Sequence, residues 1–291
     1  MIRVSTLGRL LLAGGVSGAA VIGLITHAFV RNWEPVPAGL PLFGSAVWVS
    51  GLVLLACGAC LLVPRAAPSA AVALSLTMAI WIVILHAPLL AAHPEALVHW
   101  GYSSGVLSVG SGALALWTLL AARSVSKAAR ERWRVTARMS MGPALIVFGI
   151  SHLLFAPNMT VLVPVFLPWK VQIIQATGLA HIAAGTALIC GMAARPAALL
   201  EATMMSSFVL AVDIPRFLAG RVHGPPWAIA FETAMTGAVW CVAAALRREP
   251  VRSAPGCARG RSGLRASSAR ALPNSKVAAA RPSPGAPASG N

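Results

Sequence analysis

The residues of this sequence that could do chemistry are a few ionisable side chains inside long apolar segments. In the second half of the chain they are His152, His181, Asp213, Arg216 and Glu232. An ionisable group at membrane depth costs free energy, so it is a functional hypothesis by default. All five fall in the outer halves of four apolar segments. The sequence therefore predicts one polar pocket that binds a small ligand or relays protons.

Each of these residues also has a structural interpretation. Asp213 and Arg216 are three positions apart and can pair on one helix face, which would neutralise the carboxylate. His152 can serve as an interfacial or capping residue, and His181 can hydrogen-bond a neighbouring carbonyl. A further acidic residue, Glu201, is predicted to extend towards the inner headgroups and is left out of the predicted pocket. The sequence leaves both interpretations open.

A second, weaker signal is the C-x-x-C pair Cys57 and Cys60, which lies inside an apolar segment. A membrane dithiol can pass electrons to a quinone by thiol–disulfide exchange. The intervening Gly and Ala equally suit close helix packing, and a reducing cytoplasmic side disfavours a disulfide. No haem-attachment or zinc-ligand spacing is present, so neither haem nor a metal is expected.

The elements that must position these residues are membrane helices. Of the 291 residues, 57% are hydrophobic and 10% are charged, whereas a soluble domain carries about 25% charged residues. A bilayer-crossing helix needs about 20 mostly apolar residues. Eight segments qualify, so we predict an all-α integral membrane protein with eight transmembrane helices. The predicted spans are Leu10–Val30, Pro41–Val63, Ala70–Ala91, Val98–Ala122, Met139–Ala156, Pro168–Met192, Pro196–Leu218 and Pro226–Leu246.

The basic residues predict the orientation of the chain. There are 23 Lys and Arg against 7 Asp and Glu, a formal net charge of +16. With eight spans most of the basic residues fall on one side, which the positive-inside rule makes cytoplasmic. Both termini of this multi-pass membrane protein are therefore expected in the cytoplasm. The first span is predicted to be a retained helix instead of a signal peptide.

The sequence also contains an internal duplication. A displacement of 127 positions places Gly51 on Gly178 and Gly58 on Gly185, and a displacement of 125 places His27 on His152. The repeat predicts two tandem parallel four-helix bundles, residues 1–122 and 139–246. A basic cytoplasmic linker, 123–138, joins them, and a disordered basic tail, 247–291, follows. The tail lacks interleaved aromatic residues, so the expected partner is the lipid bilayer and nucleic acid is not expected.

The two halves differ in their polar residues. At the positions equivalent to His181 and Glu232 the first half has Leu54 and Gly105, which cannot titrate. The second half is therefore predicted to hold the functional site, and the first half is predicted to be a scaffold.

Short motifs in the second half carry a family resemblance. They are Gly149-Ile150-Ser151-His152, Leu167-Pro168-Trp169, Gly178-Leu179-Ala180-His181 with Gly185, and Arg195-Pro196. They resemble the DoxX and DoxX-like family of four-helix membrane proteins, in which a Glu usually stands where His181 stands here. The resemblance implies an inner-membrane location and a link to membrane redox systems, with quinone as the implied cofactor. Other membrane redox subunits are the implied partners.

Three functions follow as hypotheses. The first is a subunit or accessory of a quinone-linked redox system, with a ligand or proton-relay site in the second half. The second is a small-solute or ion transporter built from two parallel repeats. The third is a non-catalytic membrane partner or assembly protein. The sequence leaves open whether the protein is an enzyme.

Overall fold

The computed structural model describes residues 4–37, 39, 41–121, 125–164, 166–220 and 228–246. These residues form helices joined by short loops, without strands. Eight helices are long and apolar enough to span a membrane, which confirms the predicted all-α membrane class. The predicted tail, 247–291, lies outside the described residues. The eight helices are α1 Val4–Thr26, α2 Phe43–Leu62, α3 Ala67–Ala92, α4 Leu97–Leu120, α5 Lys127–Leu154, α6 Lys170–Cys190, α7 Ala194–Leu218 and α8 Ala228–Ala245.

Helix α5 begins earlier than the sequence suggested. Most of the segment predicted as a linker, 123–138, is helical from Lys127 onwards and continuous with the span. The Ser126 hydroxyl accepts a hydrogen bond from the Ala129 N–H at 3.2 Å and caps the helix. Arg134 donates to the Ala245 carbonyl at the end of α8, and Arg138 donates to the Leu188 carbonyl near the end of α6. These arginines satisfy helix-terminal carbonyls, which accounts for their place on a helix that also spans.

Irregular backbone positions recur at the predicted displacement of 127. Helices α2 and α6 each follow a residue with left-handed backbone, Leu42 with φ 61° and Trp169 with φ 52°. Helices α3 and α7 each contain one π-helical segment, Ile82–His86 and Val209–Asp213. A proline follows each segment two residues later and cannot donate to the regular ladder, so the hydrogen bonding shifts there. The two halves thus share local geometry that composition alone would not produce.

The helices of the two halves pack into one body. Within each half, consecutive helices are neighbours, and α1 and α5 also pack on α8 and α4 of the other half. Helices α4 and α8 contact each other and are the most buried of the eight, so they form a central wall shared by both halves. The division into two tandem bundles stays a prediction. The packing shows that the first helix of each half also contacts the other half: α1 packs most closely on α8, and α5 packs on both α6 and α4.

The repeated glycines are helix contacts. On α5 and α6, Gly149 faces Gly178 and Gly142 faces Gly185. A Cβ atom added at Gly178 would lie 2.8 Å from the Gly149 carbonyl oxygen, and one added at Gly142 would lie 2.9 Å from the Gly185 carbonyl oxygen. Lipid offers no hydrophobic drive for helix association, so close backbone approach supplies much of the packing energy. The glycine spacing therefore fixes how the second half assembles.

Candidate functional site

A cavity of about 500 Å³ lies among α4, α5, α6, α7 and α8. It occupies the half of the membrane region on which α1 and α5 end, which we call the distal side; α5 begins on the proximal side. Its walls are mainly apolar and include four phenylalanines. Four of the five predicted site residues line it. They are His152, His181, Asp213 and Glu232. An apolar cavity with a few polar groups is typical of a small-molecule site.

His152 has one ring nitrogen occupied. Its Nδ1 donates to the Phe148 carbonyl over 2.8 Å, which makes Nε2 the acceptor in the neutral ring. The rings of His152 and His181 are 5.0 Å apart between centroids. The two histidines therefore lie next to each other at the cavity wall, with the Nε2 of His152 still available to a ligand.

His181 pairs with a residue that the sequence analysis had set aside. Its Nδ1 lies 2.6 Å from Glu201 Oε1, and the two residues are only 3% and 2% exposed. The prediction that Glu201 extends to the headgroups is therefore wrong, because adjacent antiparallel helices α6 and α7 bring the two residues to one depth. The repeat could have indicated that these two positions are both buried. At the equivalent positions the first half has Leu54 and Leu74, which are both buried in the core.

Arg216 does not line the cavity. Its Nη2 donates to the Val161 carbonyl over 2.9 Å, which ties the end of α7 to the helical turns after α5. Among the described residues no ion pair within 4 Å joins Asp213 to Arg216, so the suggested helix-face salt bridge is not formed. Asp213 Oδ2 is buried without a hydrogen-bond partner in the described chain. Glu232 lies close enough to Asp213 for electrostatic interaction, so the cavity carries two neighbouring carboxyl groups.

The loop between α1 and α2 places a large side chain in the interior. Trp33 is fully buried, and its ring centroid lies 5.9 Å from that of Phe231. His86 Nε2 donates to the Trp33 carbonyl over 2.9 Å, and Ser103 contacts the other ring nitrogen of His86. The corresponding loop of the second half has no tryptophan between residues 155 and 168. Trp33 therefore packs against Phe231, a residue of the cavity wall, and the second half has no equivalent tryptophan in this loop.

Glu34 follows Trp33 into the interior, between α1 and α2. It is 3% exposed and accepts a hydrogen bond from the Ser50 hydroxyl. Burial raises the pKa of this carboxyl to about 7, because the charged form loses its hydration. Hydrogen bonds from Ser50 and from the Val30 backbone favour the charged form and offset only part of that effect.

This shift predicts a pH-dependent stability. A carboxyl with a raised pKa in the folded state stabilises the fold below its ordinary pKa of 4.5, and this contribution is lost as the pH rises to about 7. The loss is on the order of 3 kcal/mol. We expect a lower thermal midpoint at pH 8 than at pH 5 in detergent, and a much smaller difference for Glu34→Gln. The exposed Glu95→Gln serves as the control and keeps the native dependence; an unchanged pH dependence in Glu34→Gln would contradict the assignment.

The cysteine pair lies apart from the cavity. Cys57 is buried and Cys60 is exposed on α2, and both are free thiols. Neither residue lines the cavity, so the structure does not bring this candidate redox pair to the polar cluster. Within the described ranges, no group of three or more His, Cys, Asp or Glu residues is placed to hold a metal ion.

Comparison of the chain with protein-family models, with curated proteins and with solved structures found no match.

Proposed function

We propose that this polytopic membrane protein binds a small, mainly apolar ligand in the cavity among α4, α5, α6, α7 and α8. The ligand's polar group would meet His152, Asp213 and Glu232. One observation carries the proposal: ionisable side chains from four different helices line one otherwise apolar cavity of about 500 Å³. Cavities for small organic ligands fall in the range of about 300–1,000 Å³.

A quinone is the ligand class we propose, in keeping with the resemblance to DoxX-like proteins. Its ring suits the apolar wall. A protonated carboxyl group of Asp213 or Glu232 can donate to a quinone oxygen, and the Nε2 of His152 can accept from a hydroxyl of the quinol. Reduction of a quinone to a quinol takes up two electrons and two protons. A partner redox subunit would supply the electrons, and the polar cluster, with the adjacent His181–Glu201 pair, would pass the protons. The protein would then act as a subunit or accessory of a membrane redox system.

The other two hypotheses receive less support. A transporter built from two repeats predicts ionisable linings in both halves, but the first half has Leu54 and Gly105 at the positions equivalent to His181 and Glu232. If the protein is a purely structural partner, filling the cavity should leave ligand binding unchanged. The next experiment would reveal that outcome.

The test is ligand binding by the purified protein in detergent. A short-chain ubiquinone analogue is titrated while tryptophan and tyrosine fluorescence is followed. Gly101 lines the cavity, and a Cβ atom there meets nothing within 4 Å. We therefore expect Gly101→Phe to fill the cavity and weaken binding at least about tenfold, a free-energy change of about 1.4 kcal/mol. Gly14→Phe, at an equally open glycine on α1, is the control. Equal binding by both variants would refute the cavity as the site.

A further inference from the structure

A groove of about 470 Å³ runs along the surface between α3, α4 and α5, apart from the cavity described above. Its walls are mostly apolar, and Leu76 and Trp133 are 57% and 46% exposed at its rim. On α4 the groove extends from Val106 to Trp117, a length of about 17 Å at 1.5 Å per residue. The hydrocarbon core of a bilayer is about 30 Å thick. The groove therefore covers the depth of one leaflet, the proximal one.

The repeat explains why α5 leaves a groove where it packs on α3 and α4. At the equivalent interface, α1 packs on α8 through Gly8 and Gly15, where an added Cβ atom would collide with Cys241 and Ala234. With the displacement of 125, the residues of α5 at these positions are Trp133 and Ser140, and both line the groove. Larger side chains at the contact positions hold α5 off α3 and α4, which leaves the space open.

Positive charge borders the proximal end of the groove. Arg132 is exposed and lies one helical turn before Thr136, a lining residue. Two other arginines of this segment are engaged, because Arg134 pairs with Glu131 and Arg138 donates to the end of α6. Within the described chain no side-chain partner of the Arg132 guanidinium is found. Trp117 and Trp133 stand beside it in an edge-to-face pair, with ring centroids 6.4 Å apart, as is typical of the headgroup level.

We infer that this groove binds one anionic phospholipid of the proximal leaflet. An acyl chain lies along α3 and α4, and the phosphate headgroup meets Arg132. The length of the groove fits one acyl chain, its apolar wall fits hydrocarbon, and the Arg132 guanidinium near its proximal end complements an anionic headgroup. A basic residue near the membrane surface contributes about 1 kcal/mol to such binding. This site is independent of the ligand proposed for the cavity.

Native mass spectrometry of the delipidated full-length protein in detergent tests the inference. Dioleoyl phosphatidylglycerol and dioleoyl phosphatidylcholine are titrated separately. We expect the first to bind at lower concentration, Arg132→Gln to weaken it about fivefold, and Arg65→Gln, at another exposed proximal arginine, to leave it unchanged. Ala79→Phe, which fills the groove, should abolish binding of the first lipid molecule, whereas Ala73→Phe on the same helix should not.

Three results would overturn the inference. Equal binding of the two lipids would show that the site does not recognise an anionic headgroup. Lipid binding by Ala79→Phe as strong as by the native protein would show that the groove is not the binding site. A co-purifying polypeptide that is lost in Ala79→Phe, without any lipid effect, would assign the groove to a partner helix instead.

Discussion

Removing either partner of the His181–Glu201 pair is expected to destabilise the protein by about 3–5 kcal/mol. Each side chain is almost fully buried, and each is the other's hydrogen-bond partner. His181→Leu leaves the Glu201 carboxyl without its partner, and Glu201→Leu leaves the imidazole in the same condition. A buried polar group that loses its partner bears its full desolvation cost. Either single variant should therefore show a large fall in thermal midpoint.

The double variant His181→Leu/Glu201→Leu is expected to recover most of this loss. The first half of the same chain already carries Leu54 and Leu74 at the equivalent positions, and both are buried in the core. Replacement of a buried polar pair by apolar residues of suitable volume is often neutral or stabilising. The first half thus shows that two leucines can occupy these helix positions in place of the ionisable pair.

Thermal unfolding of the four proteins in one detergent completes a double-mutant cycle. We expect a coupling free energy of about 2 kcal/mol or more, with the sign that marks a favourable pair. Additive losses in the double variant would show that the two residues do not depend on each other. Quinone-analogue binding measured on the folded double variant then separates stability from ligand chemistry, because this variant is expected to keep the fold but lacks the buried ionisable pair.

A leucine at Gly15 is expected to cost at least about 3 kcal/mol and to prevent α1 from docking on α8. A Cβ atom at this position would lie 2.6 Å from both the Ala230 carbonyl oxygen and the Ala234 Cα atom. Both are backbone atoms of α8, so no flexible side chain can move aside. Helix α8 also carries Phe231 and Glu232 into the cavity, so a displaced α8 would disturb the candidate site as well.

The adjacent glycine supplies the matched control. Gly14 lies on the same helix, and an added Cβ atom there meets nothing within 4 Å. Gly14→Leu should fold as the native protein does, whereas Gly15→Leu should yield aggregated or rapidly unfolding material in size-exclusion chromatography and thermal scans. Equal behaviour of the two variants would show that the close α1–α8 contact is not needed for folding.

Several features of the molecule were determined by the sequence alone. The length of an apolar segment and the prolines and glycines that bound it are local properties, so all eight spans were found, and their ends differ by a few residues in most cases. The largest difference is at Lys127, where α5 extends through the predicted linker because its arginines satisfy carbonyls of other helices. The repeat register was also readable, since glycines mark the closest helix contacts.

Only the tertiary structure decided which polar residues meet. These helices are apolar on every face because lipid surrounds them, so the sequence carries no hydrophobic period to show which face of a helix points inward. The apolar segments did not show that Glu201 lies at the depth of His181, nor how either helix is rotated, and both decide that the two residues pair. For the same reason the sequence could not show that Arg216 donates to the Val161 carbonyl, or that the loop residue Trp33 is fully buried and packs on Phe231 of the cavity wall.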